Sequence, residues 1–268
     1  MKLQAIEDAG VGELLDDLLS GMRDILGENL VGLYLYGSLV WGDFDRYLSD
    51  IDMLAAVAED LSDTEAVALK RLHDDIAERY PDWSDRIEVQ YLSLEGLRTF
   101  RTESTPMAVI SPGEPFHIVE GNRDWLINWY FVREYGVALY GPPPETIIGP
   151  ITKEEFVGNV VEHARNWPRW LEQTRHSRPY QGYAILTMCR TLYTYRTGEQ
   201  VSKKQAAEWA EQEMPEWAPL IRSALRWREE KGRDQHIDHE ATFPETERFF
   251  RFVSETIAAE QAPASRHN

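Results

Sequence analysis

The chain has 268 residues, 43% of them hydrophobic, a single cysteine and a formal net charge of -18 at pH 7. The hydrophobic content excludes a disordered chain, and the acidic charge argues against a nucleic-acid partner while favouring a cationic small molecule. The N-terminus lacks a signal-peptide core, and no apolar run reaches the roughly 18 residues of a membrane-spanning helix. We therefore expect a cytoplasmic globular protein with no membrane partner, as a monomer or a small homo-oligomer.

The first predicted elements are a helix and two strands. In residues 12–26, apolar side chains recur at helical spacing, and Gly27 can cap the helix end. Residues 30–36 and 50–57 are short apolar runs that are typical of buried strands.

The loop between these strands is bounded by residues with the chemistry of a metal site. Gly37 and Ser38 end the first strand, and a glycine there lets the backbone approach a ligand closely. Asp50 and Asp52 are two residues apart, so on a strand their carboxylates point to the same side. Such a pair suits magnesium, which takes its remaining ligands from water and substrate phosphates. A site with two magnesium ions would hold both the attacking and the leaving oxygen of an in-line displacement. Gly-Ser at the end of one strand, followed after eleven residues by Asp-x-Asp at the start of the next, resembles the signature of the polymerase β-like nucleotidyltransferase superfamily. This resemblance favours a nucleotidyl-transfer site over a solvated strand end.

A second helix follows. Ser62 or Asp63 is predicted to cap a helix that runs to about Arg79. Its polar residues, including His73, are expected to face solvent.

A third strand carries another carboxylate. In residues 87–91, Ile87, Val89 and Tyr91 alternate with Glu88 and Gln90, so Glu88 is expected to project from the face opposite the core. Next to the strand with Asp50 and Asp52, Glu88 is placed to be a further metal ligand or a general base. The alternative is a solvated glutamate.

The next segment is predicted to close a first domain. Residues 93–123 contain three prolines and are predicted to be an irregular connection, whereas residues 125–140 have helical spacing. The proline-rich residues 141–150 indicate a stiff linker. We therefore predict two domains, residues 1–148 and residues 149–268.

The second domain is predicted to contain helices alone. They cover residues 153–175 with an interruption near Pro168, 180–196, 203–214, 215–232 and 243–260. Arg190 falls within an otherwise apolar helix, where a cation needs an anionic partner. Lys203 lies in a first helical turn, where cations are disfavoured. Phosphates could satisfy both cations, and salt bridges to acidic residues are the alternative.

The motifs together resemble the aminoglycoside nucleotidyltransferases of the streptomycin and spectinomycin adenylyltransferase family. The segments LYLYGS, SDIDML, RIEVQYLS and VALYGP are similar to that family's N-terminal motifs, and LTMCRTLYTYRTGEQVSKKQAAEWA is similar to its helical-domain motif. The resemblance implies an α/β nucleotidyltransferase domain of the polymerase β-like type, followed by an all-α helical-bundle domain. It implies transfer of AMP from ATP to a hydroxyl of an aminoglycoside or aminocyclitol antibiotic.

The resemblance also implies roles for individual residues. Asp50 and Asp52 bind Mg²⁺, and Glu88 is the general base. The triphosphate of ATP is held by Gly37, Ser38, Ser49, Arg190 and Lys203. Because the last two belong to the second domain, that domain completes the ATP and substrate site.

The acceptor side departs from the family pattern. Phe116 or Pro115 stands where antibiotic-binding members carry a tryptophan. The segment RHSRPYQGY, with His176, Tyr180 and Tyr183, replaces acidic residues that hold the drug's cations. The predicted acceptor contacts of this chain are Glu88, Phe116, His176, Tyr180 and Tyr183. The alternatives are therefore the same chemistry on an unrelated metabolite or a protein side chain, or a nucleotide-binding regulatory module without catalysis.

Overall fold

The computed structural model describes residues 11–41, 44–166, 168–229 and 238–261. The chain divides into two compact units, Met1–Ile151 and Thr152–Asn268. The boundary predicted after residue 148 lies close to this division and stays a prediction. Within the four described ranges, none of the helices has both the length and the apolar character that crossing a membrane requires.

The first unit combines a mixed β-sheet with helices. In chain order its elements are α1 (Gly12–Leu26), β1 (Leu30–Tyr36), α2 (Ser38–Trp41), β2 (Ile51–Val57), α3 (Asp63–Arg79), β3 (Ile87–Ser93), α4 (Leu94–Thr99), β4 (Thr105–Ser111), β5 (Glu114–Gly121), α5 (Leu126–Tyr135) and β6 (Val137–Tyr140). The helix predicted at residues 12–26 is confirmed. The predicted start of α3 is confirmed as well, because Ser62 caps it in a reciprocal capping box with Glu65.

The sheet has six strands in the order β5-β4-β3-β2-β1-β6. Strands β2 and β3 run parallel, and the other described neighbours run antiparallel. A parallel pair needs a crossover connection, which α3 supplies. Leu33, Met53 and Val89 pack with α1 and α3 on one face of the sheet. The residues that alternate with these three therefore project from the opposite face.

The prediction of an irregular connection over residues 93–123 is wrong. This segment forms α4 and the hairpin of β4 and β5. Pro112 and Gly113 make the hairpin turn between the paired residues Ser111 and Glu114, and Gly113 has a φ of 79°. Proline followed by glycine favours a type II turn, and Pro115 is tolerated because β5 is an edge strand.

The helix predicted over residues 125–140 is also too long. Helix α5 ends at Tyr135, and the residues after Gly136 form strand β6, where Val137 pairs with Leu35 of β1. A methyl group on Gly136 would overlap the carbonyl of Val132. The glycine therefore lets the chain leave the helix and join the sheet edge.

His73 does not face solvent as predicted. It is buried at 3% exposure, and its Nε2 lies 2.7 Å from the hydroxyl of Tyr91 on β3. The side of α3 that packs on the sheet includes His73 together with the apolar residues Leu69 and Ile76. A hydrogen bond to Tyr91 lets the polar ring occupy that side.

The described part of the second unit is helical, as predicted. Its α-helices are α6 (Lys153–Asn166), α7 (Pro168–Leu171), α8 (Arg178–Thr197), α9 (Lys203–Glu213), α10 (Ala218–Glu229) and α11 (Phe243–Gln261). Gly198 ends α8 in the left-handed conformation, and Ser202 caps α9 in a capping box with Gln205. Cys189 is fully buried within α8.

Candidate active site

Three neighbouring strands place a tyrosine and two carboxylates side by side. Tyr36 pairs with Asp52 across β1 and β2, and Asp52 pairs with Glu88 across β2 and β3. Directly paired residues project from the same face of a sheet. Burial raises the pKa of the Tyr36 hydroxyl well above its ordinary value, and the negative charges of Glu88 and Asp52 raise it further. Both carboxylates therefore act electrostatically on one buried hydroxyl.

Gly37 connects β1 to α2 and makes room for Asp52. Its φ of 74° lies in the left-handed region that favours glycine. A methyl group at this position would overlap Oδ2 of Asp52. The half-buried Ser38 follows directly and begins α2. The space created by the missing side chain is thus occupied by the Asp52 carboxylate.

Asp50 lies one residue before β2, on a segment held by Arg86. Arg86 Nε donates to the backbone carbonyl of Ser49 at 3.0 Å, and its guanidinium carbon lies 4.2 Å from the centroid of the Trp83 ring. Burial lowers the pKa of Arg86, and the charge of Asp50 opposes that effect. The buried Ser49 hydroxyl accepts from the backbone amide of Asp45 at 3.0 Å. The sequence does not indicate this role of Arg86, because a backbone carbonyl can accept a hydrogen bond at any position of the chain.

Glu88 has a neighbour that sequence reasoning also missed. Its Oε1 accepts a hydrogen bond from Nε2 of Gln90 at 2.7 Å. Alternation along β3 puts these residues on one face, which was the only signal in the sequence. The candidate general base is thus held by an amide from its own strand.

The carboxylate oxygens at this end of the sheet suit a hard divalent cation. Asp50 and Asp52 supply the ligand type that magnesium prefers. In the described ranges, no three His, Cys, Asp or Glu side chains form a group that could hold a metal ion. A magnesium ion commonly keeps several waters and binds substrate phosphates through its remaining positions, so two carboxylates fit it.

Phe116, predicted to contact the acceptor, does not join these carboxylates. Its ring packs against Tyr91 and His73, at centroid distances of 6.1 and 6.3 Å. Tyr91 follows Glu88 by three residues on β3, and an odd separation places two residues on opposite faces of a strand. Phe116 therefore belongs to the helix-covered core, because alternation along β5 turns it toward that face.

In the second unit, four of the predicted site residues lie on α8 and α9. Tyr180, Tyr183 and Arg190 lie on one side of α8, because residues three and seven positions apart return to the same side of a helix. The two tyrosines are 55% and 42% exposed, whereas Arg190 is half-buried. Lys203 at the start of α9 places Nζ 3.9 Å from the centroid of the Tyr183 ring. Tyr183 and Lys203 thus form a cation–π pair.

His176 lies just before α8. Its Nδ1 is 3.1 Å from Oε1 of Glu240, and both side chains are exposed. His176 is therefore accessible to solvent, and an acidic neighbour orients its ring.

Comparison with known proteins finds one matching family model and several similar chains. Residues 146–255 match the family model for the C-terminal domain of aminoglycoside adenylyltransferases. An aminoglycoside (3'') (9) adenylyltransferase of Rhizobium radiobacter is 27% identical over 263 residues, covering 92% of this chain and 93% of the relative. One of the same name from Klebsiella pneumoniae is 26% identical over 232 residues, covering 81% of this chain and 84% of the relative.

The fold is shared with a solved structure. A spectinomycin adenyltransferase from Enterococcus faecialis, crystallised with ATP and spectinomycin, matches with a TM-score of 0.70 at 19% identity. The match covers 89% of this chain and 98% of that one. Together, these matches confirm the resemblance seen in the motifs. The chain is thus similar over most of its length to aminoglycoside adenylyltransferases, and its residues 146–255 match the C-terminal domain of that family.

Proposed function

We propose that this protein is an ATP-dependent adenylyltransferase that modifies a hydroxyl of an aminoglycoside or aminocyclitol antibiotic. The observation that carries the proposal is the pairing of Asp52 with Glu88 across the parallel strands, beside the left-handed Gly37. The names of the relatives and the ATP and spectinomycin in the solved structure support this substrate class. We assign the first unit as a polymerase β-like nucleotidyltransferase domain and the second as a helical domain that completes the site.

Glu88 is the general base in this proposal. Its carboxylate accepts the proton of the acceptor hydroxyl as the hydroxyl oxygen attacks the α-phosphorus of ATP. A bond forms between that oxygen and the α-phosphorus, the bond to the bridging oxygen breaks, and pyrophosphate leaves. Positioning and charge neutralisation supply most of the rate in transfers of this kind.

The triphosphate requires cations, because the chain carries a net charge of -18 that opposes its binding. Asp50 and Asp52 are assigned as magnesium ligands, and the ion supplies neutralisation of the charge on the phosphates. Gly37, Ser38 and Ser49 adjoin these carboxylates and help to hold the triphosphate. The Ser49 oxygen accepts from the Asp45 amide, so its own proton remains available for donation.

We assign the exposed face of the second unit to phosphate and acceptor recognition. Arg190 and Lys203 bind the phosphates of ATP as fixed positive charges. Tyr180 and Tyr183 offer half-exposed rings, which can pack against the apolar side of a sugar or cyclitol. His176 supplies a polar contact at the start of the same helix.

The decisive experiment measures pyrophosphate release by the purified full chain with MgATP and a panel of streptomycin, spectinomycin and hygromycin. One panel member should support release, and mass spectrometry should find that compound carrying one AMP. Glu88→Gln is the matched control, because it keeps the shape of the base without its charge. Absence of release with every panel member, or equal release by wild type and Glu88→Gln, would contradict the proposal.

A second candidate keeps the chemistry and changes the acceptor. It is favoured by the residues at the start of α8, because His176, Tyr180 and Tyr183 carry no carboxylate and the neighbouring Glu240 is already paired with His176. Small-molecule and protein fractions of a cell extract, incubated with enzyme and labelled ATP, distinguish the two. A label transferred to an extract component, together with no transfer to the drugs, would favour this alternative.

A further inference from the structure

The carboxylate of Glu88 is one end of a chain of side-chain hydrogen bonds. Nε2 of Gln90 donates to Oε1 of Glu88 at 2.7 Å, and the Tyr36 hydroxyl donates to Oε1 of Gln90 at 2.8 Å. Nδ2 of Asn128 on α5 donates to the Tyr36 hydroxyl at 3.1 Å. The chain therefore connects β3, β1 and α5 on the face of the sheet that carries the candidate active site.

The charge of Glu88 determines the direction of every bond in this chain. An ionised carboxylate can only accept, so the amide group of Gln90 must point its NH₂ toward Glu88. Its carbonyl oxygen then faces Tyr36, whose hydroxyl donates to it and accepts from Asn128. One arrangement satisfies all four side chains.

Burial makes this arrangement rigid. Gln90 is fully buried and Tyr36 is 3% exposed, so water cannot replace a lost partner of either group. Burial also raises the pKa of Tyr36 well above its ordinary value, which keeps its hydroxyl protonated as a donor. Reversing the Gln90 amide would turn its carbonyl oxygen toward a carboxylate and its NH₂ toward a donor, which is unfavourable in a buried site.

We propose that Gln90 is a positioning residue for the general base, with Tyr36 and Asn128 fixing the orientation of its amide. This inference rests on the proposed adenylyl transfer, in which Glu88 takes the hydroxyl proton. The amide restrains rotation of the Glu88 carboxylate and keeps it aimed at one place on the active-site face. The restraint acts on the chemical step, so it affects kcat and leaves the binding of ATP and acceptor unchanged.

The test uses Gln90→Met, which keeps the size of the side chain and removes its hydrogen bonds. We expect kcat to fall about tenfold while both KM values stay within about twofold. Tyr36→Phe leaves the amide in place but removes its partner, and should lower kcat by about threefold. Tyr34→Phe is the matched control, because Tyr34 is equally buried on β1 but donates to the Pro142 carbonyl at 3.0 Å.

A double substitution separates positioning from general loss of structure. Glu88→Asp withdraws the carboxylate from the amide and retains a base, so adding Gln90→Met to it should change kcat less than about twofold. The inference would be overturned if Gln90→Met lowered kcat by the same factor in wild type and in Glu88→Asp. It would also be overturned if Gln90→Met kept wild-type kcat, or if Tyr36→Phe and Tyr34→Phe had equal kcat. If Gln90→Met does not fold, the two tyrosine variants decide the question. Absence of turnover by wild type would instead refute the proposed function.

Discussion

Gly37 and Asp52 share one small volume at the end of β1, because a methyl group on Gly37 would overlap Oδ2 of Asp52. The same glycine has a φ of 74°. It is therefore required for two separate physical reasons, a backbone conformation and the position of a carboxylate. The chain contains another glycine that meets only the first requirement.

Gly37→Ala should reduce both stability and activity. The left-handed backbone alone costs an alanine about 1–2 kcal/mol. Displacement of the Asp52 carboxylate should lower kcat/KM by a further factor of about 100. Urea unfolding and pyrophosphate release measure the two effects independently.

Gly113→Ala is the control for that experiment. Gly113 has a φ of 79°, and no atom lies within 4 Å of a methyl group added to it. Gly113→Ala should therefore lower the free energy of unfolding by a similar amount to Gly37→Ala and keep wild-type activity. If both variants retained activity, the Asp52 position would not matter to the reaction.

Asp52→Asn should remove activity without unfolding the protein. An amide carries no charge to hold a divalent cation, so kcat/KM should fall by about 100-fold or more. Unfolding free energy should not decrease, because one of two neighbouring negative charges is removed. Asp74→Asn, at an exposed salt bridge with Lys70, is the charge-matched control and should keep full activity.

The strand pattern was predictable because alternation and short apolar runs are local properties. They place β3 and β2, although β2 begins at Ile51 and not at Asp50, and they put Glu88 on the strand beside Asp52. The register that pairs Asp52 with Glu88 comes from the structure. The hairpin of β4 and β5 is not evident from local pattern, because Pro112 interrupts the alternation of the strands although it forms a tight turn together with Gly113. Proline alone does not distinguish these outcomes.

The residues around the carboxylates were less predictable, because their partners lie far away in sequence. Arg86 binds the backbone carbonyl of Ser49 across 37 positions, and Tyr36 binds Gln90 across 54. No local pattern indicates either contact. Burial of His73 depends in the same way on Tyr91 of the neighbouring strand.

His73 should make the stability of the first unit depend on pH. Burial lowers its pKa from 6.5 to about 4, against an opposing effect of Asp74. The unfolded chain binds the proton more readily, so stability is present in full above pH 6.5 and is lost as the pH falls toward 4. Urea unfolding should lose about 2 kcal/mol between about pH 7.5 and pH 5.

His73→Gln should remove that part of the pH dependence, because glutamine can bond Tyr91 without titrating. His117→Gln is the control at a more exposed histidine and should keep the wild-type slope. Equal slopes for wild type and His73→Gln would show that other groups control stability in this range.

Lys203→Gln should weaken ATP binding. The ammonium lies 3.9 Å from the centroid of the Tyr183 ring, which restricts its position on the surface of α8. Loss of one charge-assisted contact to phosphate should raise the KM for ATP about tenfold. Helix stability should not change, because the Ser202 and Gln205 capping box remains. Lys204→Gln removes the same charge at the adjacent exposed position. A specific phosphate contact predicts that only Lys203→Gln raises the KM for ATP. An equal rise in KM for the two variants would instead mean that ATP binding depends on the net charge of this surface.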